Sequence, residues 1–257
     1  MLAKTKAVLC SIVVLGAFGV SAGEISARGS DSTISVMKLL AEAFKQESGK
    51  SLKIEGGGSS AGAKACLAGE VELGFLSRDL NESEKKAGLA GISYAFDAVA
   101  VVVHKDNPTE KLTLAELKDM FTAKTTTWPD GKPVILFNRN ADSGTRECFQ
   151  HIVLKEAKFS ETAAVKHDAV LLPAVSKIPT SVGYDSASVQ HESVKVLSID
   201  GVSPSVKTIQ DKTYPICRTL TLATKGEAAG DVKAFIDFAT GEKGQAVVKN
   251  AGFVALK

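Results

Sequence analysis

The stretch best suited to chemistry is Asn138-Arg139-Asn140-Ala141-Asp142-Ser143-Gly144-Thr145-Arg146. It follows an apolar run, Val134 to Phe137, and precedes a helix-like segment, Glu147 to Lys155. The order is strand, polar turn, helix start. A helix start presents unpaired backbone N–H groups and a partial positive charge. Gly144 lets backbone approach a ligand closely, Ser143 and Thr145 add hydroxyls, and Arg139 and Arg146 add guanidinium forks. Such a loop suits an oxyanion better than a cation or a sugar.

Three further loops repeat the pattern. Gly29-Ser30-Asp31-Ser32-Thr33 follows a short strand, Ile25–Arg28, and opens a long helix; read alone, it is an N-cap. Ser77-Arg78-Asp79 ends the strand Val71–Leu76, where a solvated strand end is the plain reading. Gly56-Gly57-Gly58-Ser59-Ser60-Ala61-Gly62 admits three enzymatic or cofactor readings. A phosphate P-loop needs Lys after its final glycine, and Ala63 stands there. Gly56, Gly58 and Ala61, with Asp79 and Glu82 downstream, resemble a dinucleotide fingerprint. Gly58-x-Ser60-x-Gly62 fits the nucleophile elbow of serine hydrolases. The elbow reading needs a late histidine, and His191 is the last one. In an open α/β sheet, loops at the carboxyl ends of strands gather together. Four Ser/Thr-bearing loops converging there would surround one small anion. Charge-assisted hydrogen bonds contribute about 1.5–3 kcal/mol each, so half a dozen would hold an anion without a general base or a metal.

Strands and helices alternate throughout, which predicts an α/β fold. Ile34, Met37, Leu40 and Phe44 recur at helical spacing before Gly49, and Ala63 to Gly69 reads as a second helix. Asn81 with Glu84, and Thr113 with Glu116, form capping boxes. Trp128-Pro129-Asp130-Gly131 marks a turn. Further strands fall near Val182–Tyr184, Val194–Ile199 and Ile216–Thr224, and two helices near 230–240 and 242–249 close the chain. Two long apolar strands, near 97–104 and 214–224, are placed to cross between lobes. The middle of the chain then forms one lobe and the two ends build the other, with a cleft between them.

The first 22 residues read as a secretory leader. Lys4 and Lys6 precede the short apolar run Ala7–Val20, and Val20-Ser21-Ala22 is a small-residue cleavage site. The chain of 257 residues has 31 basic and 29 acidic side chains. Loss of the two leader lysines leaves it neutral, which favours neither a nucleic acid nor a membrane surface. Cys66, Cys148 and Cys217 remain; their spacing suits no metal site, and they read as buried thiols or one disulfide with a thiol to spare.

With these residues in place, the chain resembles the periplasmic phosphate-binding proteins of ABC-type phosphate importers. The likeness is carried by the four loops and by Gly69-Glu70-Val71-Glu72-Leu73-Gly74, Ser181-Val182-Gly183-Tyr184, Ile199-Asp200-Gly201-Val202, Tyr214-Pro215, Lys233 to Phe238 and Ala251-Gly252-Phe253-Val254. It implies a two-lobed α/β fold, each lobe a sheet flanked by helices, with a two-strand hinge. The leader would be 1–22, one lobe 23–101 plus 217–257, and the other lobe 102–216. Matching motifs imply that Arg139, Ser143, Gly144 and Thr145 hold phosphate from one lobe. Asp31, Ser32, Ser59 and Ser77 or Arg78 would hold it from the other. The resemblance implies a monomer that is exported to the periplasm, delivers inorganic phosphate to a membrane permease, and uses no cofactor, metal or catalytic residue. Two departures stand out: Asp31 where the family usually has Ser or Thr, and Arg78 where some members have Asp. The expectation is that they compensate, Asp31 accepting the proton of hydrogenphosphate and Arg78 holding its charge. The alternatives are another tetrahedral oxyanion, or a secreted hydrolase using Ser60.

Overall fold

The structure is a computed structural model that describes residues 24–256 except 162, 167, 190 and 191. The expected leader lies outside the described residues. The chain opens on β1 (Ile25–Gly29), a 3-10 turn (Asp31–Thr33) and α1 (Ile34–Ser48). Next come β2 (Leu52–Glu55), α2 (Ser59–Ala68), β3 (Leu73–Leu76) and α3 (Glu82–Lys86). The long strand β4 (Leu89–His104) leads into β5 (Lys111–Leu112), α4 (Leu114–Phe121), β6 (Ile135–Arg139) and α5 (Gly144–Phe149). A π-helical turn (Gln150–Leu154), β7 (Ala164–Lys166), α6 (Asp168–Val175), β8 (Ser181–Ser186), β9 (Val194–Val196), β10 (Ser198–Ile199) and α7 (Val206–Gln210) follow. The strand β11 (Cys217–Lys225) and helices α8 (Gly230–Thr240) and α9 (Glu242–Asn250) complete it.

Sheet order is β2-β1-β3-β11-β4-β8-β6-β7, with β9 also on β4 and a small parallel pair of β5 and β10. Both β2 and β3 run parallel to β1, and β6 runs parallel to β7 and β8. The carboxyl ends of β1, β2 and β3 therefore sit side by side, and their loops share one rim. The antiparallel strands β4 and β11 join the two halves. Residues 89–98 of β4 pair with β11, whereas Val99 to Val103 pair with β8. One strand thus belongs to both lobes, and its partner changes between Ala98 and Val99. The chain returns just before β11, where the Val99 N–H donates to the Ile216 carbonyl at 2.8 Å.

Each lobe has its own apolar core. Met37, Leu40 and Phe44 of α1 pack with Phe75, Leu220, Leu222 and Phe235. Val101, Val103, Leu117, Phe121, Phe149 and Tyr184 form the other core. Within it Phe149 stacks on Tyr184 at 4.1 Å between ring centroids and 9° between planes, which seats α5 against the sheet. Leu76 and Leu80 pack with Ala63 and Cys66 beneath α2.

The elements depart from the sequence reading in instructive places. Helix α2 begins at Ser59 rather than Ala63, so Ser59 and Ser60 are helical residues and not loop. The β4 strand begins at Leu89, well before the apolar stretch expected near 97–104. The segment after Arg146 is a short α-helix that widens into a π-helical turn. Helix α6 carries Pro173 and an apolar composition without a polar stripe, so neither periodicity nor propensity marks it. All three described cysteines carry free thiols. Burial pushes the Cys148 and Cys217 thiols up to about 12 and about 11, so neither ionises near neutral pH.

Candidate anion-binding site

The rim formed by β1 and β3 carries three buried hydroxyls. Ser30 Oγ donates to Ser77 Oγ at 2.9 Å and lies 3.3 Å from Ser32 Oγ. Ser59, the first residue of α2, adds a fourth: its Oγ accepts from the Ser77 backbone N–H at 3.0 Å. These positions are dictated locally. The glycine Gly58, at φ 98°, turns the chain into α2, and a side chain there would strike the Asp142 carbonyl. The β3 strand delivers Ser77 directly beneath the start of α2.

The other lobe meets them at the start of α5. Ser143 caps this helix, its Oγ accepting from the Arg146 N–H at 3.3 Å. Thr145 Oγ1 and Ser32 Oγ are hydrogen-bonded at 2.8 Å across the cleft. A Cβ at Gly144 would stand 2.1 Å from Ser59 Oγ and 2.6 Å from Ser77 Oγ. Close approach, not backbone conformation, requires glycine at this position. The Ser60 N–H donates to the Asp142 carbonyl at 3.3 Å. The cleft floor is therefore built from hydroxyls and from the N-termini of α2 and α5, whose dipoles attract anions.

Behind this lining runs a chain of buried charge. Arg139 and Asp185, each 1% exposed, are joined at 2.9 Å. The Ser186 N–H donates to Asp185, and Ser186 Oγ donates to Asp97 at 2.7 Å. Asp97 stands directly opposite Arg218 in the β4–β11 register and accepts from its Nε at 3.0 Å and its Nη2 at 2.6 Å. Arg218 Nη1 then donates to Thr145 Oγ1 at 2.6 Å. Burial opposes the Arg218 charge, but the neighbouring acidic groups, Asp97 foremost and Asp185 with it, together hold the guanidinium pKa above its ordinary value. Two arginines balance two aspartates, so an incoming anion meets oriented dipoles more than net charge. Arg146 supports the loop from outside: its Nη1 donates to the Arg139 carbonyl, and its guanidinium lies 4.6 Å above the Phe159 ring.

The structure brings Ser32, Ser59, Ser77, Gly144 and Thr145 to one point, with Ser143 capping α5 and Arg139 in the buried chain behind them. Asp31 and Arg78 make contacts outside this point. Asp31 Oδ1 accepts from the Gly57 N–H at 2.8 Å, pinning the glycine loop. Arg78 does not meet Asp31. It makes a two-pronged ion pair with Glu84, 2.8 Å on each arm, and a second pair with Glu147. The expected compensation between Asp31 and Arg78 is therefore corrected: Glu84, held by the α3 capping box, takes the guanidinium first. Ser60 donates to Glu147 and accepts from Arg78. That places an acid and a guanidinium, not an imidazole, at the elbow serine; His191 lies outside the described residues. Sequence reasoning missed Ser30, Asp97, Asp185, Ser186 and Arg218. For Asp97, Asp185 and Arg218 a signal was available, because charges inside apolar strands are almost never buried unless paired.

The Glu84 pair predicts an acid limit to stability. Burial opposes the Glu84 carboxylate, but the hydrogen bond and charge of Arg78 together with the Asn81 N–H outweigh it and hold the pKa below its ordinary value. A lowered folded pKa stabilises above the unfolded value, about 4.3, and that stability is lost as pH falls through the folded pKa. The melting temperature of the wild type should fall steeply below about pH 4. Glu84→Gln should start lower at pH 7 and fall less steeply, as a calorimetric pH series would show.

A family model described as a PBP superfamily domain matches residues 19–243. The chain belongs to the PBP superfamily. Relatives of this PBP-superfamily chain are named for phosphate. The phosphate-binding protein PstS of Bacillus subtilis is 29% identical over 245 residues, covering 91% of this chain and 81% of that protein. A candidate phosphate ABC transporter substrate-binding protein of Clostridium perfringens, solved with bound phosphate, superposes at a TM-score of 0.86 and 34% identity. That match covers 91% of this chain and all of the other. The ABC-type phosphate transport receptor of Vibrio cholerae superposes at a TM-score of 0.79 and 27% identity, over 90% of this chain and 99% of its own.

Proposed function

We propose that this protein is an exported solute-binding protein that captures inorganic phosphate between its lobes and hands it to an ABC permease. The observation that carries this reading is the convergence of Ser32, Ser59, Ser77 and Thr145 hydroxyls with the N-termini of α2 and α5 at one buried point. The ligand set is Ser32, Ser59, Ser77, Arg139, Ser143, Gly144 and Thr145, with Ser30 and Arg218 added. Asp31 and Arg78 act from behind it. We place the lobe boundary at the crossing beside Ala98 and Cys217, where β4 changes partner from β11 to β8. Hydroxyls suit phosphate because each can donate to an oxyanion and accept from a protonated one. Fully ionised sulfate offers acceptors alone, and a donor-poor anion leaves hydroxyl lone pairs unmatched. The role is binding and not turnover: Ser60 is held by Glu147 and Arg78, and the PstS relatives are named for binding. Among the described residues, no helix is long and apolar enough to cross a membrane.

Thermal melting tests the reading. Phosphate at a hundred times its Kd adds about 2.7 kcal/mol, which raises the melting temperature by roughly 5–10 °C for a chain of this size. Sulfate at the same concentration should raise it by less than about 1 °C. An equal rise with sulfate or molybdate and none with phosphate would assign a different oxyanion.

A further inference from the structure

Arg78 and Glu147 belong to different lobes. Arg78 leaves β3, whose Leu76 and the following Leu80 pack beneath α2. Glu147 lies in α5, where its neighbours Cys148 and Phe149 pack in the other core. Their ion pair therefore crosses the cleft. Ser60 Oγ, on α2, donates to the same Glu147 carboxylate and accepts from Arg78 Nη2 at 3.3 Å. Glu84 grips Arg78 from behind with two 2.8 Å bonds, so the guanidinium is fixed before the lobes meet. The Arg78 side chain is 10% exposed and that of Glu147 33% exposed. The pair stands at one wall of a cavity of about 510 Å³ lined also by Asp79, His151, Cys217 and Thr219. Water and salt reach Glu147, whereas the hydroxyl cluster is sealed.

We infer that Glu147 is a closure-determining residue: with Arg78 and Ser60 it latches the two lobes and sets how long the captured anion stays. The latch touches no ligand. It adds stability to the closed form alone, so it lowers the dissociation rate and leaves the open form's encounter rate unchanged. Because one partner faces solvent, dissolved ions weaken it. Arg78, the residue the motifs offer as a phosphate contact, is engaged instead by two carboxylates. The assignment deepens the phosphate reading and rests on it for the kinetic arm of its test.

The experiment compares wild type, Glu147→Gln and Glu147→Lys by stopped-flow phosphate release and by small-angle scattering without phosphate. Glu147→Gln should raise the release rate about tenfold with the association rate changed less than twofold, as expected for loss of a closed-state contact. The wild-type release rate should rise with salt from 20 to 500 mM on the order of fivefold, and the Gln variant's rate should stay flat. Glu147→Lys sets like charges together and should enlarge the radius of gyration of the ligand-free protein by about 1 Å over wild type. Unchanged release with Gln, or equal salt slopes in both proteins, overturns the latch. A wild type that binds no phosphate overturns the ligand reading instead. The scattering arm still decides the latch in that case, because an unmoved radius with Lys rejects it.

Discussion

Gly144→Ala will lower phosphate affinity by on the order of a hundredfold while leaving the ligand-free protein as stable as wild type or slightly more so. The two halves of this expectation come from different physics. Gly144 is the first residue of α5, and its backbone is not in the left-handed region. Alanine is favoured over glycine in a helix by roughly 0.5–1 kcal/mol, so the helix gains. The methyl group, however, would sit 2.1 Å from Ser59 Oγ and 2.6 Å from Ser77 Oγ, both on the opposite wall. The clash exists only when the lobes are closed. Overpacking of this kind costs about 1–3 kcal/mol, and 2.7 kcal/mol is about a hundredfold in Kd. Isothermal titration against phosphate, paired with a melting curve without it, separates the two effects. An unchanged Kd would mean that the lobes do not close on Gly144 as described.

Arg218→Met will destabilise the fold by about 3–5 kcal/mol, the cost of stranding one partner of a buried ion pair. Asp97, 2% exposed, would keep its charge with Ser186 as its remaining donor. The damage falls at the point where β4 and β11 cross between lobes, so it should weaken phosphate binding as well. Asp97→Asn in the same chain removes the stranded charge and should recover at least half of the loss. Urea unfolding of the two single variants and the double variant gives the comparison. A cost below about 1 kcal/mol for Arg218→Met would mean that Asp97 finds solvent.

The lining of the cleft was legible because its ingredients are local. A strand end, a hydroxyl, a glycine and a helix start lie within a few residues of one another in each loop. Thr145, Ser59 and Ser77 could be read from such short words, and only their meeting needed the fold. The arginines were harder, because a guanidinium near a loop looks alike whether it faces a ligand or a carboxylate. Arg78 is settled by Glu84, six residues on, and by Glu147, brought from the other lobe. No spacing rule reaches that far. Asp97, Arg218 and Asp185 are masked by the apolar residues of their strands, although a lone charge in such a run demands a partner. The early start of α2 is hidden in the sequence because Gly-Ser-Ser reads as loop by propensity. Its first turn is fixed by tertiary contacts, Ser59 with Ser77 and Ser60 with Asp142.

The crossing of β4 and β11 also bears on how the chain could tolerate change. Everything between Val99 and Ile216 departs and returns through neighbours in one ladder, joined by a 2.8 Å hydrogen bond. Topologically that middle half is a very long loop with its ends clipped together. Closure entropy grows only with the logarithm of loop length, about 0.6 kcal/mol per doubling. Insertions into this half should therefore be cheap wherever they avoid the cleft, and a graft joined at Ala98 and Cys217 would inherit a ready-made pivot.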